Sequence, residues 1–266
     1  MYKLLLASDQ KEVLDAFDRI QWDYNGFRKP HIRQDLDGVK ECMKAHRADA
    51  VVVGFGPEKK HELLVWLRAV NPYIPVCEAG RTPEEAAAWL QELNTLLNWI
   101  RADFSSDHPD QGEMLVLGRR NLFRSLVSDR AMTKDELRRG MLMRRSRFDP
   151  NSPVVLMTLS CVGMEEGSSA PDRDRSLEKS LFRSLGGDIR GYHVLPLVTG
   201  DGRIFVLAGP VREHVEDASA DDMRSILEES VREGILHAEE YQGLQMRITG
   251  IEVLPSLYAL CADGDT

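Results

Sequence analysis

Hydrophobic and polar positions in the first hundred residues alternate between two patterns. Short runs that are apolar at nearly every position, such as DAVVVGF (49–55) and IPVCEAG (74–80), predict buried strands of a parallel sheet. Other segments carry apolar residues three or four positions apart and predict helices, as in KEVLDAFDRIQW (11–22) and KKHELLVWLRAV (59–70). This alternation of strands and helices predicts a doubly wound α/β sheet over residues 1–104.

Two of the predicted helices begin with capping signals. Asp9 is expected to cap the first helix, with Glu12 three residues later in the manner of a capping box. Thr82 is expected to cap the long helix of residues 82–104, with Pro83 at its first position.

The second half of the chain has a different order of elements. A polar, turn-rich stretch predicts a linker over residues 105–117, and residues 118–266 then form the second domain. Its pattern is two helices, a strand, a helix, a hairpin around Gly200-Asp201-Gly202, a long helix and a final strand. This order predicts an α+β domain with a mixed or antiparallel sheet and helices on one face.

Composition excludes several classes of protein. A net charge of −9 argues against a general binder of nucleic acids or anionic membranes, and no apolar run is long enough to span a bilayer. The four cysteines form no CxxC pair, and the histidines lack metal-ligand spacing. We therefore expect reduced thiols, a cytoplasmic location, and neither a metal nor a cofactor.

Three segments of the first domain carry a family resemblance: IQWDYNGF (20–27), ADAVVVGFGP (48–57) and LLVWLRAVNPYIPV (63–76). They resemble the receiver domain of AraC-type two-component response regulators of Gram-positive bacteria, which implies a flavodoxin-like sheet. Receivers phosphorylate an Asp at the end of the third strand, and two acidic residues after the first strand hold the Mg²⁺ that this chemistry uses.

The chain departs from this pattern at the reacting positions. Gly54 stands at the phosphoacceptor position, and the acidic pair is reduced to Ser8 and Asp9. No lysine occurs between Lys60 and Lys134, so the receiver's conserved lysine is missing as well. Asp9 is either a vestigial metal ligand or the helix cap described above, and we favour the cap. The resemblance therefore implies a degenerate receiver, or pseudo-receiver.

A receiver has five strand–helix units, whereas this chain passes from IPVCEAG (74–80) to one long helix and then to the linker. The helix of residues 82–104 matches either the fourth or the fifth helix of a receiver. We expect the sheet to be short of one strand–helix unit.

Residues from about Gly118 onward resemble the middle domain of the same family, which is similar to a degenerate diguanylate cyclase (GGDEF-like) fold. The resemblance rests on RNLFRSLVSD (120–129), PVVLMTLSCV (153–162) and the order of elements. GGDIR (186–190) is a false lead, because its glycines are expected to end a helix. The hairpin turn that should carry the cyclase motif has Asp201, but Arg203 stands where an acid is needed. A role in the turn is the favoured interpretation of Asp201.

The segment between the two patterns is rich in arginine. Two interpretations remain open: a patch that binds a ligand or partner, or solvated helix faces that pair with an acidic protein. The candidate residues of this patch are Arg119, Arg120, Arg138, Arg139, Arg144 and Arg145, and Asp201 and Arg203 are candidates in the hairpin turn.

Together these observations predict a non-catalytic protein of signal transduction and transcription regulation. We expect it to act through protein partners, as a homodimer, without phosphorylation of its pseudo-receiver. No segment offers a basic recognition helix, so DNA binding would require a further C-terminal helix-turn-helix module. The alternative is a sensor related to diguanylate cyclases that binds a nucleotide or cyclic dinucleotide.

Overall fold

Four parallel strands form the first sheet in a computed structural model that describes residues 1–45, 47–102, 111–129, 131–162, 171–211 and 220–262. The strands lie in the spatial order β2-β1-β3-β4, and all three pairings are parallel. Their bounds are β1 (Leu4–Ala7), β2 (His31–Arg33), β3 (Ala50–Val53) and β4 (Val76–Glu78). The parallel sheet predicted from the apolar runs is confirmed, and β2 is a strand that the sequence pattern did not predict.

Helices cover both faces of this sheet. They are α1 (Lys11–Asp18), α2 (Leu36–Lys44), α3 (Pro57–Val70) and α4 (Pro83–Ala102). Leu4 and Leu6 of β1 lie in one core with α1 and α4, whereas Leu5 and Ala7 lie in a second core with α2 and α3. Successive residues of a strand face opposite sides of the sheet, so two cores on two faces establish the doubly wound arrangement.

The face on which α4 lies indicates whether it is a crossover helix that leads to a further strand. The chain passes from β3 to the neighbouring β4 through α3, on the face opposite α1. A further right-handed crossover in the same direction would place its helix on the α3 face. Because α4 packs on the α1 face, it covers the sheet on that side, and no fifth strand of this sheet follows it among the described residues. Within the described residues, β4 is therefore the last strand at this side of the sheet.

The two capping predictions have different outcomes. The prediction that Asp9 caps α1 is wrong: the N-cap residue is Gln10, which makes no side-chain cap, and Asp9 pairs instead with Lys59. The prediction for α4 is confirmed, because the hydroxyl of Thr82 accepts a hydrogen bond from the backbone N–H of Glu85 at 3.2 Å. Glu85 in turn accepts a bond from the backbone N–H of Arg81 at 2.9 Å, so both ends of a capping box are made.

Five antiparallel strands form the second sheet, in the spatial order β6-β7-β8-β5-β9. The strands are β5 (Val154–Cys161), β6 (Gly187–Ile189), β7 (Tyr192–Val198), β8 (Ile204–Pro210) and β9 (Met246–Leu254). The helices are α5 (Gln111–Asp129), α6 (Lys134–Met143), α7 (Pro171–Leu185) and α8 (Ala220–Gln242), and a 3-10 turn spans Leu257–Leu260. The antiparallel sheet and its β7–β8 hairpin are confirmed, whereas β6 was not predicted.

Both faces of the antiparallel sheet are buried, so the prediction of helices on one face only is incomplete. Helices α7 and α8 cover the face that carries Val194 and Val206. On the other face Leu207 is fully buried, and Phe148 packs against Gly209 and the ring of His193. Phe123 of α5 meets the ring of Phe148 edge-on at 5.2 Å, so α5 contributes to this second layer.

The chain divides into two compact units that exchange a segment. The first unit is Met1–Arg119 with Arg139–Arg145, and the second is Arg120–Arg138 with Ser146–Thr266. The predicted linker of residues 105–117 overlaps the start of α5, which begins at Gln111. None of the described helices is both long and apolar enough to cross a membrane.

Candidate functional site

The carboxyl edge of the parallel sheet is the first place to look for a site. In open α/β sheets, ligands bind in the crevice where neighbouring strands send their chains to opposite sides. Here that point lies between β1 and β3, because α1 and α3 leave these strands on opposite faces. Ser8 follows β1, Gly54 follows β3, and Ala79 follows β4.

Ser8, Gly54 and Ala79 lie close together at this edge of the sheet. Ser8 is fully buried, and its hydroxyl donates a hydrogen bond of 3.0 Å to the carbonyl oxygen of Gly54. The same hydroxyl accepts a bond from the backbone N–H of Gln10 at 3.1 Å, so its hydrogen bonding is satisfied within the fold. A Cβ atom on Gly54 would lie 2.8 Å from Oγ of Ser8 and 3.0 Å from Cβ of Ala79. Any side chain at position 54 therefore requires its neighbours to move.

Two ion pairs involve residues next to these strand ends. The Nζ atom of Lys59 lies 2.5 Å from Asp9 and 5.7 Å from the ring centre of Phe55. Next to it, Lys60 pairs with Glu78 at the end of β4, also at 2.5 Å. Asp9, the one carboxylate left at the predicted acidic position, is thus already paired with a lysine of its own unit.

Sequence reasoning missed these lysines as members of the site. It looked for a lysine after a later strand, whereas Lys59 and Lys60 lie in the first turn of α3. The signal that could have found them is their distance along the chain: they follow β3 by six and seven residues, and a helix that begins at Pro57 returns them to the strand ends.

Four of the six candidate arginines belong to the first unit: Arg119, Arg139, Arg144 and Arg145. We call residues 139–145 the strap. Arg139 of the strap pairs with Glu92 of α4 at 3.5 Å and lies over the ring of Trp89 at 5.7 Å. Arg145 donates a bond of 3.3 Å to the backbone carbonyl of Leu64 in α3.

The strap contacts helices on both faces of the parallel sheet. Arg145 bonds to α3 and Arg139 pairs with α4, and these two helices lie on opposite faces. Val76 and Cys77 of β4 are fully buried although the strand is at the edge, and Met143 of the strap is in the core with α4. Burial lowers the pKa of Arg144, with Glu92 acting in the opposite direction. The arginines of the strap therefore make contacts within the first unit.

Arg120 and Arg138 belong to the second unit. Arg120 is 8% exposed and stacks over the ring of Phe182 at 4.3 Å, and its burial lowers the pKa of the guanidinium. Arg138 lies 3.8 Å from Asp135 on the surface of α6. The six arginines predicted as one patch are thus divided between the two units.

The hairpin turn between β7 and β8 is closed by its own side chains. The hydroxyl of Thr199 is hydrogen-bonded to Asp201, and Nε of Arg203 lies 2.6 Å from the other carboxylate oxygen. The bond from Thr199 lowers the pKa of Asp201, with a smaller contribution from Arg203. Gly202 has φ +81, the left-handed conformation that favours glycine in such a turn. Asp201 and Arg203 are therefore brought together, as parts of the turn.

The GGDIR segment has a structural role in the second unit. Gly187 begins β6 with φ +123, and Gly186 donates its backbone N–H to Phe182 at the end of α7. Asp188 of this segment pairs with Arg147 at 2.6 Å and with Nδ1 of His193 at 2.8 Å. Among the residues that the structure describes, no three His, Cys, Asp or Glu side chains are grouped closely enough to hold a metal ion.

Comparison with known proteins does not identify the chain. No family model matches it, and a search of curated proteins finds no significant match.

Proposed function

We propose that this protein is a non-catalytic component of signal transduction whose first unit is a pseudo-receiver that works without aspartyl phosphorylation. The observation that carries the proposal is the contact of Ser8 with Gly54. It places a glycine at the strand end where a receiver needs its phosphoacceptor, and a buried hydroxyl in the space that an acceptor side chain would require.

The strand order supports the receiver-like part of this proposal. A flavodoxin-like sheet has the strand order 2-1-3-4-5, and the four described strands follow the first four places of that order. The position of α4 on the α1 face is expected if one crossover unit has been lost, because α4 then closes the sheet in place of a later helix.

The second unit is proposed to be a GGDEF-like module that serves as a protein-contact platform. Its hairpin turn holds Asp201 between Thr199 and Arg203, which satisfies the carboxylate internally. Regulation of transcription would be the role of the whole protein if a DNA-binding module belongs to it. The nucleotide-sensor alternative remains a candidate to be excluded by experiment.

Phosphorylation and ligand binding test the proposal directly. The protein is incubated with acetyl phosphate and Mg²⁺ and its intact mass is measured; we expect no added phosphoryl group. A thermal-shift series with GTP and cyclic di-GMP tests the alternative, since a ligand at 100 times its Kd stabilises a protein by ~2.7 kcal/mol. An acid-stable or acid-labile phosphoryl adduct would overturn the pseudo-receiver, and a saturable shift with a nucleotide would favour the sensor.

A further inference from the structure

Strand β9 ends the antiparallel sheet and is nine residues long, MRITGIEVL. Among the described residues its strand neighbour is β5, so its other edge carries backbone groups with no ladder partner. Long edge strands readily pair with another chain. Charges or bulges on an edge usually prevent such pairing, so a partner for β9 has to complement both.

A bulge divides β9 into two arms. Leu159 of β5 lies opposite Ile248, whereas the preceding Thr158 lies opposite Gly250, so Thr249 is the extra residue. One extra residue reverses the side on which the following residues point. Met246 and Ile248 before the bulge, and Ile251 and Val253 after it, consequently pack on the same core.

The first arm of β9 is complementary to the second arm of an antiparallel β9 strand from another copy. If β9 pairs with β9 of a second copy about a two-fold axis between Thr249 and Gly250, Ile248 lies opposite Ile251 and Met246 opposite Val253. In the same register Arg247 lies opposite Glu252, and both point to the other face. Directly opposed residues of antiparallel strands share a face, and in β9 this holds on both arms because of the bulge.

From this geometry we infer that β9 is a homodimer interface, in which two copies join their five-stranded sheets edge to edge. The dimer is isologous, so the attraction between Arg247 and Glu252 occurs twice. Both side chains already interact within their own chain: Nε of Arg247 donates a hydrogen bond of 3.0 Å to the hydroxyl of Ser160, and Glu252 also has an interaction there. The pair across the dimer is additional to these interactions.

The helix layer extends the contact beyond the strands. Helix α8 packs on both β9 and β5, so the same two-fold axis brings the two α8 helices next to each other. When a strand is added to a sheet edge, backbone hydrogen bonds supply affinity and side-chain contacts supply specificity.

As a regulatory contact this dimer rests on the proposed function, whereas its existence is tested by oligomeric state alone. Sedimentation velocity of the full chain over a concentration series should show a monomer–dimer equilibrium. Arg247→Glu and Glu252→Arg each replace two attractive pairs by two repulsive ones and should weaken the dimer by about tenfold or more. The double variant R247E/E252R restores both pairs and should restore the dimer.

Arg28→Glu is the matched control, because it makes the same change of charge on an exposed side chain of the first unit, away from β9 and α8 in the sequence. It should leave the dimer unchanged. A wild-type chain that stays monomeric overturns the inference, and so does a dimer that both single variants leave intact. Neither result bears on the absence of phosphorylation, which is measured separately by mass.

Discussion

Ser8 and Gly54 are joined across the carboxyl edge of the parallel sheet by a hydrogen bond from the serine hydroxyl to the glycine carbonyl. The glycine permits this contact because a Cβ atom there would lie 2.9 Å from Cβ of the serine. Position 54 therefore cannot accommodate a side chain while Ser8 keeps its place.

Gly54→Ala should destabilise the first unit by about 1–3 kcal/mol, the usual cost of forcing an extra group into a packed site. Urea unfolding followed by tryptophan fluorescence measures this, because all four tryptophans, at positions 22, 66, 89 and 99, lie in the first unit. Gly56→Ala is the control, since a Cβ there meets nothing within 4 Å.

The double variant S8G/G54A tests whether G54A destabilises the protein through its contact with Ser8 or independently of that residue. Removing the serine side chain relieves the two shortest contacts, so the double variant should be more stable than the sum of the single changes predicts. Equal destabilisation by G54A and G56A would contradict the packing described here.

Met143→Ala should destabilise the first unit although residue 143 lies far along the chain from its sheet. Met143 is 1% exposed and belongs to the core with α4, and truncating such a residue costs about 2–5 kcal/mol. The loss should appear in the tryptophan transition. Met157→Ala truncates an equally buried residue of the second unit. It should shift the unfolding transition followed by far-ultraviolet circular dichroism more than the tryptophan transition. If M143A left the tryptophan transition unchanged, the strap would not be part of the first unit.

Asp201→Asn should destabilise the second unit at neutral pH and lose its effect in acid. The pKa of Asp201 is lowered in the folded state, so the carboxylate contributes stability above the unfolded value of about 3.9, which is lost as pH falls through the folded value. The exposed turn is screened by solvent, and we expect a difference of about 0.5–1 kcal/mol. Unfolding at a series of pH values measures it. Thr199→Val removes the largest cause of the shift, so a variant D201N/T199V should lose less than the sum of the two.

Cys77 should be the slowest of the described thiols to react in the native protein. Burial raises the pKa of its thiol, and Glu78 and Glu92 act in the same direction, so the reactive thiolate is scarce. Cys161 is partly exposed and should be alkylated by iodoacetamide first, as read by peptide mass. Rapid labelling of Cys77 in the native wild type would contradict its burial in the core with α4.

Elements with a strong apolar pattern were predictable from the sequence, and elements held mainly by their neighbours were not. The runs at Ala50–Val53 and Val76–Glu78 gave buried parallel strands as expected. The strand His31–Arg33 is short, polar and partly exposed, so it exists through its pairing with β1 and leaves no apolar signal. Gly187–Ile189 was hidden in the same way by the glycines at the end of α7.

The candidate site was predictable in its positions and not in its contacts. Gly54 and Asp9 were identified because the pattern fixed the ends of two strands. The pairing of Asp9 with Lys59 was missed because it joins residues fifty positions apart. The division of the arginine-rich segment could not be foreseen either, since its periodicity is that of ordinary surface helices and only the packing of Met143 marks the strap.

The strap also has a genetic consequence. The chain changes unit after residues 119, 138 and 145, so the sequence of the first unit is interrupted by nineteen residues of the second, 120–138. A recombination event that exchanged everything after residue 119 would separate the first unit from residues 139–145, and so from Met143 of its core. A chimera joined at residue 119 is therefore expected to have a less stable first unit.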